Sequence, residues 1–183
     1  MKKTTLFAFL LCFSFWGAWA QNFRPVDKSP MDVAYFPDHF AHDRKDGEKA
    51  LVRVIYSRPN KNGREVFGTL VPYGKVWRTG ANENTEIKFY QDATIQGKKI
   101  KAGTYSLFSI PGENEWTIIL NSDLDYWGAF KYKPENDVAR FTVPSKKSTD
   151  TPLENFSIHF PKGNDAVMRL GWDSTVVELP ITF

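Results

Sequence analysis

The sequence predicts an all-β protein, a single antiparallel β-sandwich or barrel-like domain with few short helices. Apolar and polar residues alternate with a period of two in many short runs. Gly, Pro and Asn interrupt these runs at short intervals, as turns between strands do. No segment carries an i, i+3, i+4, i+7 apolar stripe long enough for a major helix. This combination is typical of sandwiches and barrels.

The strand predictions rest on local alternation and on turn residues. Residues 50–57 form a β-branched run that ends at Arg58-Pro59, and residues 85–90 alternate apolar with polar side chains. Gln96-Gly97 predicts the turn of a hairpin within residues 93–100. The remaining predicted strands are 104–110, 116–121, 138–143, 156–160, 166–172 and 175–181.

The first twenty residues predict export. Lys2 and Lys3 precede an apolar run, residues 6–16, that is too short to span a bilayer comfortably, and Ala18-Trp19-Ala20 has the small residues of a cleavage site. The expected organisation is a cleaved signal peptide at 1–20, a lead-in segment at 21–48 and the β-domain at 49–183. We therefore expect a periplasmic or extracellular protein with no membrane span after cleavage.

Cleavage changes what the composition implies. Cys12 is the only cysteine and lies within the predicted signal peptide, which excludes thiolate catalysis by the mature protein. Loss of Lys2 and Lys3 lowers the basic count from 24 to 22 against 21 acids, so the formal charge falls from +3 to +1. A near-neutral chain with interspersed charges is not expected to bind nucleic acid.

Three arginines fall among turn residues between two predicted strands. Arg58, Arg64 and Arg78 suggest an anion site in a cleft formed by loops 58–64 and 72–83, because guanidinium groups bind carboxylates and phosphates through paired hydrogen bonds. The alternative is structural, with the arginines paired to neighbouring glutamates or capping turn carbonyls. Spacing alone leaves both open.

Glu83 is the carboxylate best placed for acid–base chemistry, since a loop near Trp77 would desolvate it. A glycosidase needs a second carboxylate, which Asp123 or Asp125 would supply. The alternative is that Asn82 and these acids organise turns.

Aromatic side chains suggest either a carbohydrate-binding face or a core. Trp77 and Trp127 precede loops and are ligand-binding candidates, because indole rings offer flat apolar faces that suit sugars. Trp116 alternates with Ile118 and Leu120 and is predicted to lie in the core.

His39 and His42, flanked by Asp38 and Asp43, resemble part of a metal site. A third ligand from elsewhere is also needed, and none is indicated by the spacing. We predict no metal and no other cofactor.

Several longer runs resemble one family. These runs are YSRP (56–59), GREVFG (63–68), LVPYGKVWRTGANE (70–83), AGTYSLFSIPG (102–112), WTIILN (116–121) and WGAFKY (127–132). They are similar to the domain of unknown function 2911 family, whose members are mostly exported proteins of Bacteroidetes. The resemblance implies a compact β-rich domain outside the cytoplasm and supplies no activity or catalytic residues. Residues 29–46 are longer and more aromatic than the usual lead-in, and their role is open.

The leading functional hypothesis is non-catalytic binding of a polar or carbohydrate-like ligand, a small molecule or glycan, in the loop cleft. One alternative is a glycosidase-like hydrolase that uses Glu83 as acid or base. Another is a structural envelope protein without a ligand. An enzyme is less favoured, because the sequence contains no recognisable nucleophile–base pair.

Overall fold

A computed structural model describes residues 23–183, so the predicted signal peptide at 1–20 lies outside the described residues. The described chain forms two short 3-10 helices, Asp38–Ala41 and Pro134–Asn136, and eleven β-strands. The strands are β1 (Met31–Phe36), β2 (Val52–Ser57), β3 (Thr85–Phe89), β4 (Ala93–Ile95), β5 (Lys98–Ile100), β6 (Gly103–Ile110), β7 (Glu115–Asn121), β8 (Asp137–Lys147), β9 (Leu153–His159), β10 (Ala166–Asp173) and β11 (Thr175–Ile181).

Nine strands form one antiparallel sheet in the order β1-β2-β3-β6-β7-β8-β11-β10-β9. The long strand β8 lets the sheet fold over on itself, because its first part pairs with β7 and its last three residues, from Ser145, pair with β11. The remaining two strands, β4 and β5, form a hairpin. The all-β prediction is therefore confirmed, and the sheet is nearly closed like a barrel.

The seam of this barrel lies between the end of β2 and β9. Beyond β2, the Lys61 amide donates to the Glu154 carbonyl at 2.7 Å, and the Phe156 amide donates to the Pro59 carbonyl at 3.0 Å. The Tyr56 hydroxyl adds a hydrogen bond to the Ile158 carbonyl at 3.0 Å. These bonds hold the chain after β2 rigidly against the far end of the sheet.

The barrel interior is filled by inward-facing aliphatic and aromatic residues. In β2, Val52, Val54 and Tyr56 face the core while Arg53 and Ile55 face outward, as the period of a strand requires. Trp116 is only 2% exposed, which confirms its prediction as a core residue.

Strand β1 was not predicted from sequence. It lies within the lead-in segment and pairs with β2 in register, with Val33 opposite Ile55 and Phe36 opposite Val52. The lead-in thus supplies the first strand of the sheet. Among residues 23–183, no helix has the length and apolar character needed to cross a membrane.

Candidate functional site

The two predicted loops meet around one cavity. A volume of about 500 Å³ lies between residues 59–64, which follow β2, and residues 70–81, with Lys28 and Ser29 of the lead-in on a further wall. We call this the loop cavity. Its volume is within the range of small-molecule sites.

Arg78 lies in this cavity on a rigid turn. Its carbonyl accepts a hydrogen bond from the Thr85 amide at 3.2 Å. The preceding Trp77 exchanges both backbone hydrogen bonds with Ser109 of β6, at 2.7 and 2.9 Å. On the other side, the Thr79 carbonyl accepts from the Thr85 hydroxyl at 2.7 Å. The backbone of Arg78 is therefore fixed by both neighbours.

Gly80 allows this turn to pack closely on the sheet. A Cβ atom at this position would lie 3.1 Å from the Ser57 carbonyl oxygen and 3.2 Å from the Thr85 hydroxyl. These separations are tighter than ordinary van der Waals contact. Glycine is therefore the residue that best fits this approach.

The side chain of Arg78 is half-buried and unpartnered. Within residues 23–183 its guanidinium forms no ion pair, and its buried Nε donates no hydrogen bond. Desolvation lowers the pKa of this guanidinium. The guanidinium of Arg78 therefore has N–H donors without a protein acceptor, and a bound ligand could accept hydrogen bonds from them.

Arg64 also lines the cavity and is held by its own loop. Its Nε donates to the Lys61 carbonyl at 2.8 Å, and one terminal nitrogen donates to the Asn60 carbonyl at 2.6 Å. These acceptors are neutral, so they orient the guanidinium without cancelling its charge. Lys28 and Lys75 complete a set of four cations around the loop cavity, whose lining contains no carboxylate.

Two indole rings form the floor. Trp77 and Trp172 are stacked with centroids 6.0 Å apart and an interplanar angle of 18°. Each ring nitrogen is occupied, since Trp77 donates to the Gly80 carbonyl at 3.0 Å and Trp172 to the Glu154 carbonyl at 3.1 Å. Trp77 thus belongs both to the core and to the cavity, and the floor it helps form is apolar.

Arg58 has a different environment. Its guanidinium donates to Asp32 at 2.9 Å, to the Phe156 carbonyl at 3.2 Å and to the Ser157 hydroxyl at 2.8 Å. It lies across the barrel seam and does not line the loop cavity. The three arginines are therefore not brought together.

Glu83 and Trp127 lie at a second cavity of about 390 Å³, which Asp125 and Glu86 also line. Glu83 and Trp127 pair through an isolated antiparallel bridge, and both side chains are exposed. Trp127 is 62% exposed and stacks on Phe130 at 5.9 Å. The second cavity thus collects carboxylates and an exposed indole, separate from Arg78.

Asn82 and Asp123 have local partners. The Asn82 side-chain amide donates to Asp27 at 3.0 Å, which joins this turn to the lead-in. Asp123 accepts hydrogen bonds from the Tyr126 hydroxyl at 2.7 Å and from Asn136 at 2.6 Å. Neither residue lines the loop cavity or the second cavity.

No group of three or more His, Cys, Asp or Glu side chains within residues 23–183 is arranged to hold a metal ion. His39 instead contacts Glu48 at 2.5 Å. His159 lies on the far strand β9.

Sequence reasoning missed Lys28, Lys75 and Trp172 as cavity residues. Lys75 stands inside the predicted loop 72–83, so its charge was a usable signal. Lys28 and Trp172 reach the cavity only because the barrel closes, which no local pattern indicates.

Fold and cavity together define a small all-β protein with a basic cavity of small-molecule size. A family model described as "Protein of unknown function (DUF2911)" matches residues 38–181, and the chain belongs to that family. The predicted resemblance is thereby confirmed. No curated protein and no solved structure matches the chain. Strand β1 and Lys28 precede the matched region.

Proposed function

We propose that this protein is exported and binds a polar or carbohydrate-like ligand, a small molecule or glycan, in the loop cavity without catalysing a reaction. The observation that carries the proposal is the half-buried, unpartnered guanidinium of Arg78 in a cavity of about 500 Å³. An aromatic floor with a few convergent polar groups is the usual composition of a small-molecule site.

Arg78 argues against a purely structural role. A protein without a ligand gains nothing from desolvating a cation that has no partner, because burial of an unpaired charge is unfavourable. Arg58 is the contrasting case, since each of its three guanidinium nitrogens donates a hydrogen bond, one to Asp32 and two to β9. Arg78 has no such partners among the described residues and lines the loop cavity, whereas Arg53, whose Nε is also buried without a partner, does not line it.

The proposed binding function is tested by a substitution that places a larger side chain in the loop cavity. Leu70 lines it and is 38% exposed, so Leu70→Trp adds bulk there at little cost to stability. Calorimetric titration with cellobiose, diacetylchitobiose, glucose 6-phosphate and 1-naphthoate is expected to find at least one compound that binds. Leu70→Trp should weaken that binding at least tenfold.

Leu124→Trp is the matched control, because Leu124 is 37% exposed and lies outside the cavity lining. It should leave affinity and melting temperature unchanged. Equal loss of binding in both variants, or binding by none of the four compounds, would contradict the proposal.

A second candidate is a glycosidase-like hydrolase at the second cavity. The observation favouring it is that Glu83 and Asp125 line one cavity together with exposed Trp127. Two carboxylates beside a flat indole face are the components that glycoside hydrolysis uses. Glu83 would serve as the acid or base.

This candidate is tested with a panel of 4-nitrophenyl glycosides. Glu83→Gln keeps size and hydrogen bonding but removes the titrating group, so it should lower any hydrolysis by a factor of about 10² or more. Glu115→Gln, an exposed change on β7, is the control. Unchanged turnover in Glu83→Gln would exclude Glu83 from this role.

A further inference from the structure

We infer that the ligand of the loop cavity is a small organic anion, whose carboxylate or phosphate group binds Arg78 while its apolar or ring-shaped body packs on the exposed apolar lining of the cavity, Leu70 and Pro72. This inference rests on the binding function proposed above. It names the ligand's charge and shape.

The charged residues that line the loop cavity indicate that its ligand is negatively charged. Of the residues that the structure describes, Arg64, Arg78, Lys28 and Lys75 line the loop cavity, and no Asp or Glu does. None of the four forms an ion pair with a carboxylate among residues 23–183. Arg78 is half-buried and the other three are exposed, and charges of one sign around a concave surface attract ions of the opposite sign.

Arg78 identifies where the anionic group sits. Its guanidinium has a planar fork of donors, which matches the two oxygens of a carboxylate or phosphate. A neutral sugar would cover this cation and remove its water without supplying a compensating charge. An anion neutralises the partly desolvated charge of Arg78. It should therefore bind more tightly than a neutral compound of the same shape.

The apolar residues that line the loop cavity indicate the chemistry of the rest of the ligand. Both indole nitrogens donate to protein carbonyls, so neither needs a ligand acceptor. Trp77 and Trp172 are themselves only 8% and 2% exposed, so the apolar surface open to a ligand comes from Leu70, which is 38% exposed, and from Pro72. An anion with an apolar face or ring would bury this surface, whereas inorganic phosphate would leave it wet.

The site is also preorganised. The backbone hydrogen bonds of Trp77 and Thr79 hold Arg78 on a fixed turn, and Arg64 is oriented by two carbonyls. Little of the binding free energy is then lost in ordering the loops.

The first experiment needs no knowledge of the natural ligand. Removal of an unpartnered, half-buried charge should relieve a desolvation cost. The melting temperature of ligand-free Arg78→Met should therefore rise by about 2–4 °C, the shift that a modest stabilisation produces in a domain of this size. Arg58→Met, the matched control, should lower the melting temperature because it breaks two hydrogen bonds across the seam and the ion pair with Asp32 on β1.

The second experiment compares matched pairs of probes by calorimetric titration. Glucose 6-phosphate is paired with glucose, and 1-naphthoate with 1-naphthalenemethanol. Each anion should bind at least tenfold more tightly than its neutral partner, with 1-naphthoate above inorganic phosphate. Arg78→Met should remove that preference, whereas Arg78→Lys should retain part of it because it keeps the charge and loses the fork.

The outcomes separate this inference from the binding function. If the neutral probes bind as well as the anions and Leu70→Trp blocks both, the cavity binds ligands but the anion inference is wrong. If no probe binds, both are wrong. A melting temperature of Arg78→Met below that of the native protein would show that Arg78 stabilises the fold, and it would overturn the inference. Tighter binding of a heparin or oligonucleotide chain than of any small anion would also overturn it.

Discussion

Arg58 and Arg78 show how two residues of one type take opposite roles. Both lie between the predicted strands 50–57 and 85–90, and both were candidates for an anion site. Arg58 contacts Asp32 on β1 and reaches β9 across the seam, whereas Arg78 faces a cavity that no described carboxylate lines. The difference depends on which distant strand closes against each loop, and spacing along the chain does not contain that information.

Trp77 shows a second limit of residue-level reasoning. Core and ligand-binding roles were posed as alternatives, yet Trp77 packs against Phe156 at 5.1 Å and also lines the loop cavity. A large aromatic ring has enough surface for both. Trp116 was predictable because it alternates along β7 with Ile118 and Leu120, which are also buried.

Tyr56 gives a prediction about pH. Burial raises the pKa of Tyr56 to about 12 from 10.0, and its hydroxyl donates to the Ile158 carbonyl across the seam. The stability associated with this raised pKa is present below pH 10 and is lost as the pH rises toward 12, because the unfolded tyrosine ionises first. At pH 11 the stability of the native protein relative to Tyr56→Phe should be about 1 kcal/mol lower than at pH 8.

Urea unfolding of both proteins at pH 8 and pH 11 measures this difference. Comparison with Tyr56→Phe is necessary because the pKa of Tyr132 is also raised to about 12. Tyr132→Phe serves as the control for a tyrosine outside the seam. A pH-independent difference between native protein and Tyr56→Phe would show that Tyr56 ionises equally in both states.

At the level of elements, strands with regular alternation were predictable and β1 was not. Most predicted runs match observed strands to within a few residues. In β1, Asp32 and Ala34 weaken the pattern, and the strand forms because its backbone pairs with β2 over six residues. Local propensity is a weak guide where partner pairing decides the structure.

The turn of the β4–β5 hairpin could be predicted from its two residues, Gln96 and Gly97. Gln96 and Gly97 both have positive φ, 46° and 76°, between the paired residues Ile95 and Lys98. This is the geometry of a two-residue type I′ turn. It directs Ile95 and Ile100 into the core, where each is at most 1% exposed.

Gly97→Ala should therefore destabilise the protein through backbone strain alone. A Cβ atom at Gly97 would meet nothing within 4 Å, so no clash contributes. The unfolding free energy should fall by about 1–2 kcal/mol, because the left-handed conformation is sterically unfavourable for alanine. Gly97→Asn should cost less, because asparagine tolerates this conformation. Equal stability of Gly97→Ala and the native protein would mean that the turn relaxes to another type.

On the scale of the whole molecule, the loop cavity is a product of closure. Its walls come from the lead-in, from the chain after β2, from the turn before β3 and from Trp172 near the end of β10. The sequence indicated two of these contributions, loops 58–64 and 72–83. The other two are distant along the chain, and only the nearly closed sheet places them beside Arg78.

The charge of the whole chain also bears on the site. Without residues 1–20 the formal charge is +1, yet four cations line one cavity. The positive potential is therefore local, and it is a property of the mature protein because none of the four lies in the predicted signal peptide.

The last prediction concerns export of the molecule. Lys2 and Lys3, the short apolar run at 6–16 and Ala18-Trp19-Ala20 match in order the three regions expected of a secretory signal. N-terminal sequencing of protein isolated from an envelope fraction should begin at Gln21. Replacing Ala20 with a bulky residue such as Leu should block cleavage and leave the longer precursor, because the cleaving enzyme requires a small side chain there. Recovery of the native chain with Met1 intact and held in membranes would contradict export as a cleaved protein. The first described strand, β1, begins at Met31, so cleavage after Ala20 would leave all the described strands in place.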